Sequence, residues 1–297
     1  MQDLRWDRLL LEHSGLALGL VTLTLMGLVV LLIGVLRLAS LIDRWRRGDV
    51  RLWPGRLVFR APWSAWALGR TAIVVAFVIH VIVVAQTVWE LMQPERQIDD
   101  HARMLVNTMM VDVLVLGGVW RLMREHHVSW QRIGLSFQGL RQSLRQAIGG
   151  YVTAIPVLVG VLLATMAVIK LIGWEPEPQP VFELLYAEPR SSVVWYAMWL
   201  VMLLGPVAEE VVFRGVAYTM LKRRVGIGWA IVLSGVLFAL LHVDPVGFVP
   251  IAVLGMLLAY LYEQTGSLVP SIAVHMAHNS VMVFMVYLVK VAVQATA

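Results

Sequence analysis

The sequence contains no cysteine. That excludes disulfides, a thiolate nucleophile and Cys-ligated metal, and leaves the compartment open. Charge is scarce too: Asp, Glu, Lys and Arg make up 14% of the 297 residues, against 59% hydrophobic, and mean hydropathy is +0.77. A soluble domain has no way to hide so much apolar surface, so the long uncharged runs read as transmembrane helices. No basic face with interleaved aromatics accompanies the formal net charge of +5. The cations cluster between apolar runs, which argues against nucleic acid as a partner and for orientation by positive loops. No repeat relates the two halves, so an inverted-repeat transporter lacks support. A cleavable signal is missing as well. The first apolar run, near residues 15–36, is too long for one, and ahead of it Arg5 and Arg8 stand against Asp3, Asp7 and Glu12. It reads as a retained span.

What is present is a series of eight apolar runs, near residues 15–36, 66–89, 104–120, 151–173, 191–220, 228–242, 247–262 and 271–290. The third, sixth and seventh are short. The expected fold is all-α, a polytopic membrane protein of about eight transmembrane helices in a lipid bilayer. Arg37, Arg44, Arg46, Arg47, Arg51, Arg56, Arg60 and Arg70 crowd the segment after the first run, with Trp45 and Trp53 suited to an interfacial belt. The next connection sets Glu90, Glu95, Asp99 and Asp100 against Arg96 and Arg103. The third is basic again (Arg121, Arg124, Arg132, Arg141, Arg145), and its part 136–148 reads as an amphipathic segment on the membrane surface. The fourth, 174–190, is acidic and broken by Pro176, Pro178 and Pro180; the fifth holds Lys222, Arg223 and Arg224. This alternation puts the arginine-rich loops in the cytoplasm and both termini outside a cell (plasma) membrane. Residues 1–133 read as an N-terminal membrane module of about three helices, and 134–297 as a functional core of about five.

Three constellations in that core carry chemistry. Glu209, Glu210 and Arg214 form the pattern E-E-x-x-x-R inside the fifth run, where ionisable groups cost several kcal/mol each unless paired or used. Glu210 and Arg214 are four apart and share a helix face, so they can pair internally; Glu209 is rotated by about 100° and is free to exchange protons. The bland alternative is a structural ion pair with a spare acid. The second constellation is Phe238 and His242, one turn apart, the ring serving as an apolar wall beside the imidazole. The third is His275, His278 and Asn279, with His275 and Asn279 one turn apart on one face. An imidazole and a carboxamide aimed at one point make a metal site or an oxyanion-stabilising pair, with interhelical hydrogen bonding as the plain alternative. Asp112 with Asn107 in the third run makes a further polar cluster, and His80 reads as a packing residue.

At these residues the chain resembles the CAAX protease and bacteriocin-processing (CPBP) membrane proteases, which include the type II CAAX prenyl endopeptidases. The motifs E-E-x-x-x-R, F-x-x-x-H and H-x-x-x-N stand in that order at Glu209–Arg214, Phe238–His242 and His275–Asn279, over a stretch of resemblance from about 134 to 287. The resemblance implies an intramembrane endopeptidase acting on a membrane-embedded or membrane-associated protein or peptide. Glu209 would activate water with His242 assisting, His275 and Asn279 would steady the oxyanion, and Glu210, Arg214 and Phe238 would support the site. Family members have been described both as metal-independent glutamate proteases and as metalloproteases. Glu209, His242 and His275 also make an acceptable two-His-one-carboxylate zinc set. The glutamate mechanism is favoured, because no H-E-x-x-H is present. The alternative from another class is a non-proteolytic scaffold or immunity-type protein. The protease reading requires a water-reachable polar cavity between the fifth, sixth and eighth spans.

Overall fold

The computed structural model describes residues 14–50, 59–93, 95, 99–176 and 179–296. Asp3, Arg5, Asp7, Arg8, Glu12, Arg51, Trp53, Arg56, Arg96 and Pro178 lie outside the described residues. Nine helices follow one another and no strand occurs among the described residues: α1 (Ser14–Arg46), α2 (Ala65–Met92), α3 (Asp100–Glu125), α4 (Leu140–Ile172), α5 (Pro180–Ala187), α6 (Ser191–Val225), α7 (Ile227–Leu241), α8 (Phe248–Thr265) and α9 (Leu268–Thr296). Seven are long and apolar enough to cross a bilayer. The protein is a polytopic all-α membrane protein. The eighth expected span, α7, has 15 residues, or about 22 Å of helix against a hydrocarbon core of about 30 Å.

The connections sort by charge. At one end of the bundle Arg223 donates to the Ala61 carbonyl (3.1 Å), Lys222 pairs with Glu263 (2.8 Å), and the Leu268 amide donates to the Gly134 carbonyl (2.9 Å). At the other end Arg190 holds Asp99 (2.6 Å) and Glu188 (2.7 Å), His101 meets Glu188 (2.7 Å), and Lys290 caps the Leu185 and Glu188 carbonyls. The Arg190 guanidinium, with help from His101, holds the Glu188 carboxyl well below the usual carboxylate range. Arg190 likewise lowers Asp99.

Side chains from α2, α3, α6, α7 and α8 share one core around Val211, Val216, Tyr218 and Tyr262, including Ala67, Val119, Leu122 and Met123 from the first 133 residues. Helices α7 and α8 are pressed together through glycines. A Cβ on Gly235 would lie 2.6 Å from the Ala252 carbonyl oxygen, so small residues set the helix separation here.

Three local expectations change. Residues 140–148 do not form a separate surface segment but run continuously into α4, where Ser143 and Ala147 are buried. Gly149 and Gly150 make a packing site: a Cβ on Gly150 would meet Leu261 at 2.7 Å, and one on Gly149 the Arg37 guanidinium at 2.9 Å. Arg37, Arg44 and Arg46 belong to α1 rather than to a loop, and Arg37 donates to Thr153 on α4 (3.1 Å). The proline-broken connection folds the eight-residue α5, with Pro180 at its first turn, where a missing N–H costs nothing.

Candidate active site

Helix α6 carries the first motif on an irregular backbone. Residues Leu200–Leu204 form a wide π turn in which the Gly205 amide reaches back five residues to the Leu200 carbonyl. Pro206 comes next and has no N–H to offer, so the Val201 carbonyl has lost the donor that would continue that pattern. Asn279 of α9 supplies one instead: its Nδ2 donates to Val201 O at 2.9 Å. A second π segment spans Val211–Tyr218. Such wide turns concentrate at functional sites, and these two bracket Glu209 and Glu210 in a regular segment, Gly205–Glu210.

Glu210 and Arg214 are fully buried and paired at 2.6 Å. Arg214 also donates to the Gly255 carbonyl of α8 (2.8 Å) and lies over the Phe238 ring, 4.6 Å from its centroid. Glu210 accepts a further hydrogen bond from His275 Nδ1 at 3.1 Å. Phe238, fully buried, touches His242 (ring centroids 4.5 Å apart), His275 (5.5 Å, edge-on) and Phe213 (5.1 Å). It is the wall against which both imidazoles are set.

The two histidines converge on Glu209. His242 Nδ1 donates to its own helix, at Phe238 O (2.8 Å), so the neutral ring presents the lone pair of Nε2 outward. His275 is oriented in the same sense by Glu210. The two Nε2 atoms lie 3.8 and 3.6 Å from the same oxygen, Glu209 Oε2. These gaps are too long for direct hydrogen bonds. Glu209 Oε2 has no hydrogen-bond partner in the protein. Glu209 and His242 keep 32% and 30% of their side-chain surface open, whereas His275 keeps 2%.

The chemistry of this donor set bears on zinc. No choice of atoms brings one donor each from Glu209, His242 and His275 within 4.8 Å of the other two. Bonds of about 2.0–2.2 Å put tetrahedral zinc ligands about 3.5 Å apart, which the two gaps of 3.6 and 3.8 Å to Glu209 Oε2 approach and the separation of the two histidine donors does not. Asp99, His101 and Glu188 do lie that close together, but there the Arg190 guanidinium supplies the positive charge.

Six of the expected residues are joined by direct contacts or short gaps, Glu209, His242, His275, Glu210, Arg214 and Phe238, while Asn279, one turn along α9 from His275, is engaged with Val201. His278 is not among them. It turns to α4 and meets Tyr151 Oη at 3.0 Å. Helix α9 begins inside the protein, with Leu268 and Ser271 fully buried, as the position of His275 seven residues into it requires. Asp112 of α3 lies within electrostatic reach of Glu209. Both Asp112 Oδ2 and Asn107 Oδ1 are buried without a partner. The sequence missed Gly255, whose role is played by its backbone, and Glu263, which accepts from Tyr218 (2.7 Å) and Lys222. An acid at the tail of an apolar run was the available signal for Glu263.

Carboxylates and imidazoles enclosed by apolar helices make a polar site within the bundle. Residues 191–281 match the family described as type II CAAX prenyl endopeptidase Rce1-like. The chain is also similar to a Bacillus subtilis (strain 168) protein named "Putative membrane peptidase YdiL", 27% identical over 115 residues, which are 38% of this chain and 45% of that protein. The chain thus spans under half the length of that relative. No solved structure matches it. These two partial matches support a likeness to the CPBP, CAAX-protease type of membrane protein.

Proposed function

We propose that the protein is an intramembrane endopeptidase that hydrolyses a peptide bond of a membrane-embedded or membrane-associated protein or peptide. One observation carries this reading: the buried, unpartnered Glu209 Oε2 facing the Nε2 atoms of His275 and His242 at 3.6 and 3.8 Å, on a side chain otherwise 32% exposed. A water there donates one proton to Glu209 and is held by His242, leaving an oxygen lone pair for the scissile carbonyl carbon. As the C–O bond forms, negative charge moves to the carbonyl oxygen. Asn279 has one N–H engaged by Val201 and a second to offer that oxyanion. His275 joins it by donating through Nε2 when protonated on both nitrogens, with the Glu210 carboxylate at Nδ1 as counter-charge. Collapse of the intermediate breaks the C–N bond, and Glu209 returns its proton to the leaving amine. Arg214 and Phe238 hold Glu210 and the two rings in register. No step is assigned to a metal.

Water would enter over the partly open side chains of Glu209 and His242, 32% and 30% exposed, with the short α7 leaving His242 at its end short of the full bilayer span. By the charge alternation, the arginine-rich end faces the cytoplasm and both termini lie outside a plasma membrane.

The test compares membrane-protein termini in host cells carrying the parent or Glu209→Ala. New peptide ends present only with the parent are expected, and their distance from a membrane boundary or a prenylated cysteine names the substrate class. Identical termini, with both proteins inserted and equally abundant, would overturn the reading in favour of a non-proteolytic scaffold.

A further inference from the structure

A cavity of about 380 Å³ opens at the basic end of the bundle, lined by Phe59, Arg60, Pro62, His126, Val128 and Arg132. It lies where the segment entering α2 meets the segment leaving α3, away from the Glu209 site. That volume is within the range of small-molecule sites, about 300–1,000 Å³. Its walls are fixed to the core: His126 packs edge-on against Trp63 (6.2 Å), and the buried Trp63 donates through Nε1 to Val216 O on α6 (3.4 Å).

The charges here are unbalanced. Around the cavity, Arg70 and Arg121 are both neutralised by Glu125, and Arg223 is engaged by the Ala61 carbonyl. Arg60 and Arg132 face the cavity from opposite connections with no carboxylate partner among the described residues, and no acidic side chain lines it. Two guanidiniums lining one cavity match the spread oxygens of a phosphate better than a single-point anion. Phe59, Pro62 and Val128 offer an apolar side beside it, and the cavity sits at the ends of two membrane-crossing helices, the level of lipid headgroups.

We propose that this cavity is a phosphate-binding site that takes the headgroup of an anionic glycerophospholipid. The inference is independent of proteolysis. It is tested on the full chain in nanodiscs of mixed phosphatidylcholine and phosphatidylglycerol, by native mass spectrometry of the lipid retained on release. Preferential retention of phosphatidylglycerol is expected for the parent. Each guanidinium near an anionic surface is worth about fivefold, so Arg60→Gln/Arg132→Gln should lose that preference about 25-fold at an unchanged melting temperature. Arg124→Gln, an exposed cation at the same end that stacks on Trp120 instead, should keep it. Should the double variant misfold, Arg60→Lys/Arg132→Lys and the single variants carry the test, with graded loss expected. Equal retention by parent and double variant, or equal loss with Arg124→Gln, would overturn the site. Inorganic phosphate stabilising the protein in detergent through Arg60 and Arg132, with no lipid preference, would overturn the lipid as its source.

Discussion

Helices α1 and α2 and helix α8 make opposite use of hydrophobicity. In α1 only Ala17 and Gly34 are buried, and in α2 only Ala67, yet both helices have a much higher hydropathy than α8. Helix α8 is less apolar and buries eight residues, among them Gly255, Tyr262 and Glu263. In a bilayer the apolar solvent is outside. Lipid-facing helices can be uniformly greasy, while protein-facing ones need small residues for close approach and polar groups that find partners. The difference locates function: polarity was retained where helices enclose it.

Substitutions can press on that contrast. The largest effect is expected at Glu209→Gln, which should lower the cleavage rate by about 10²–10⁴-fold at the parent's melting temperature, measured on the substrate that the terminus comparison identifies. A matching loss from an α2 substitution such as His80→Gln would blur the contrast. Next is Arg214→Ala. Removing one partner from a fully buried pair leaves Glu210 uncompensated and should cost about 3–5 kcal/mol, read by denaturation in detergent; stability equal to the parent would contradict the supporting role given to Arg214. Gly235→Ala should cost about 1–3 kcal/mol by forcing α7 from α8. Gly27→Ala in α1, where a Cβ meets nothing within 4 Å, should stay within about 0.5 kcal/mol of the parent.

Two smaller effects sharpen the comparison at the acidic end. Glu188 is lowered when folded, so its contribution is present above the unfolded carboxylate pKa, about 4.3. It is lost as pH falls through the lower folded value. Melting temperature should therefore be flat from neutrality to about pH 5 and fall below about pH 4, with a shallower fall in Glu188→Gln. Val243, next to His242, adopts φ +48°, a left-handed conformation costly for a β-branched residue. Val243→Gly should stabilise by about 1 kcal/mol, and any change in cleavage would show that this strained turn positions His242.

Much of this was legible beforehand. Seven spans and the short α7 answer to apolar runs, because length and hydropathy are local properties that a bilayer reads directly. Six of the seven expected site residues meet and Asn279 lies one turn from His275, since each motif joins residues a turn apart and the membrane excludes unpaired charge. Other features depended on partners remote in sequence. Gly149 and Gly150 make a packing site only because Leu261 and Arg37 lie beside them. His278 and Asn279 are adjacent in the chain, yet one turns to Tyr151 and the other to Val201.

By itself, the sequence determined that the protein crosses a membrane many times, which end of the bundle is basic, and which ionisable residues are too costly to be idle. Only the tertiary structure decided how those residues face one another. Phe238 O and Glu210 take the Nδ1 protons of the two histidines and turn both Nε2 atoms to Glu209, and Pro206 leaves a carbonyl that Asn279 must satisfy. Hydropathy is summed along the chain, whereas a hydrogen bond's direction is set by whichever helix happens to lie across from it.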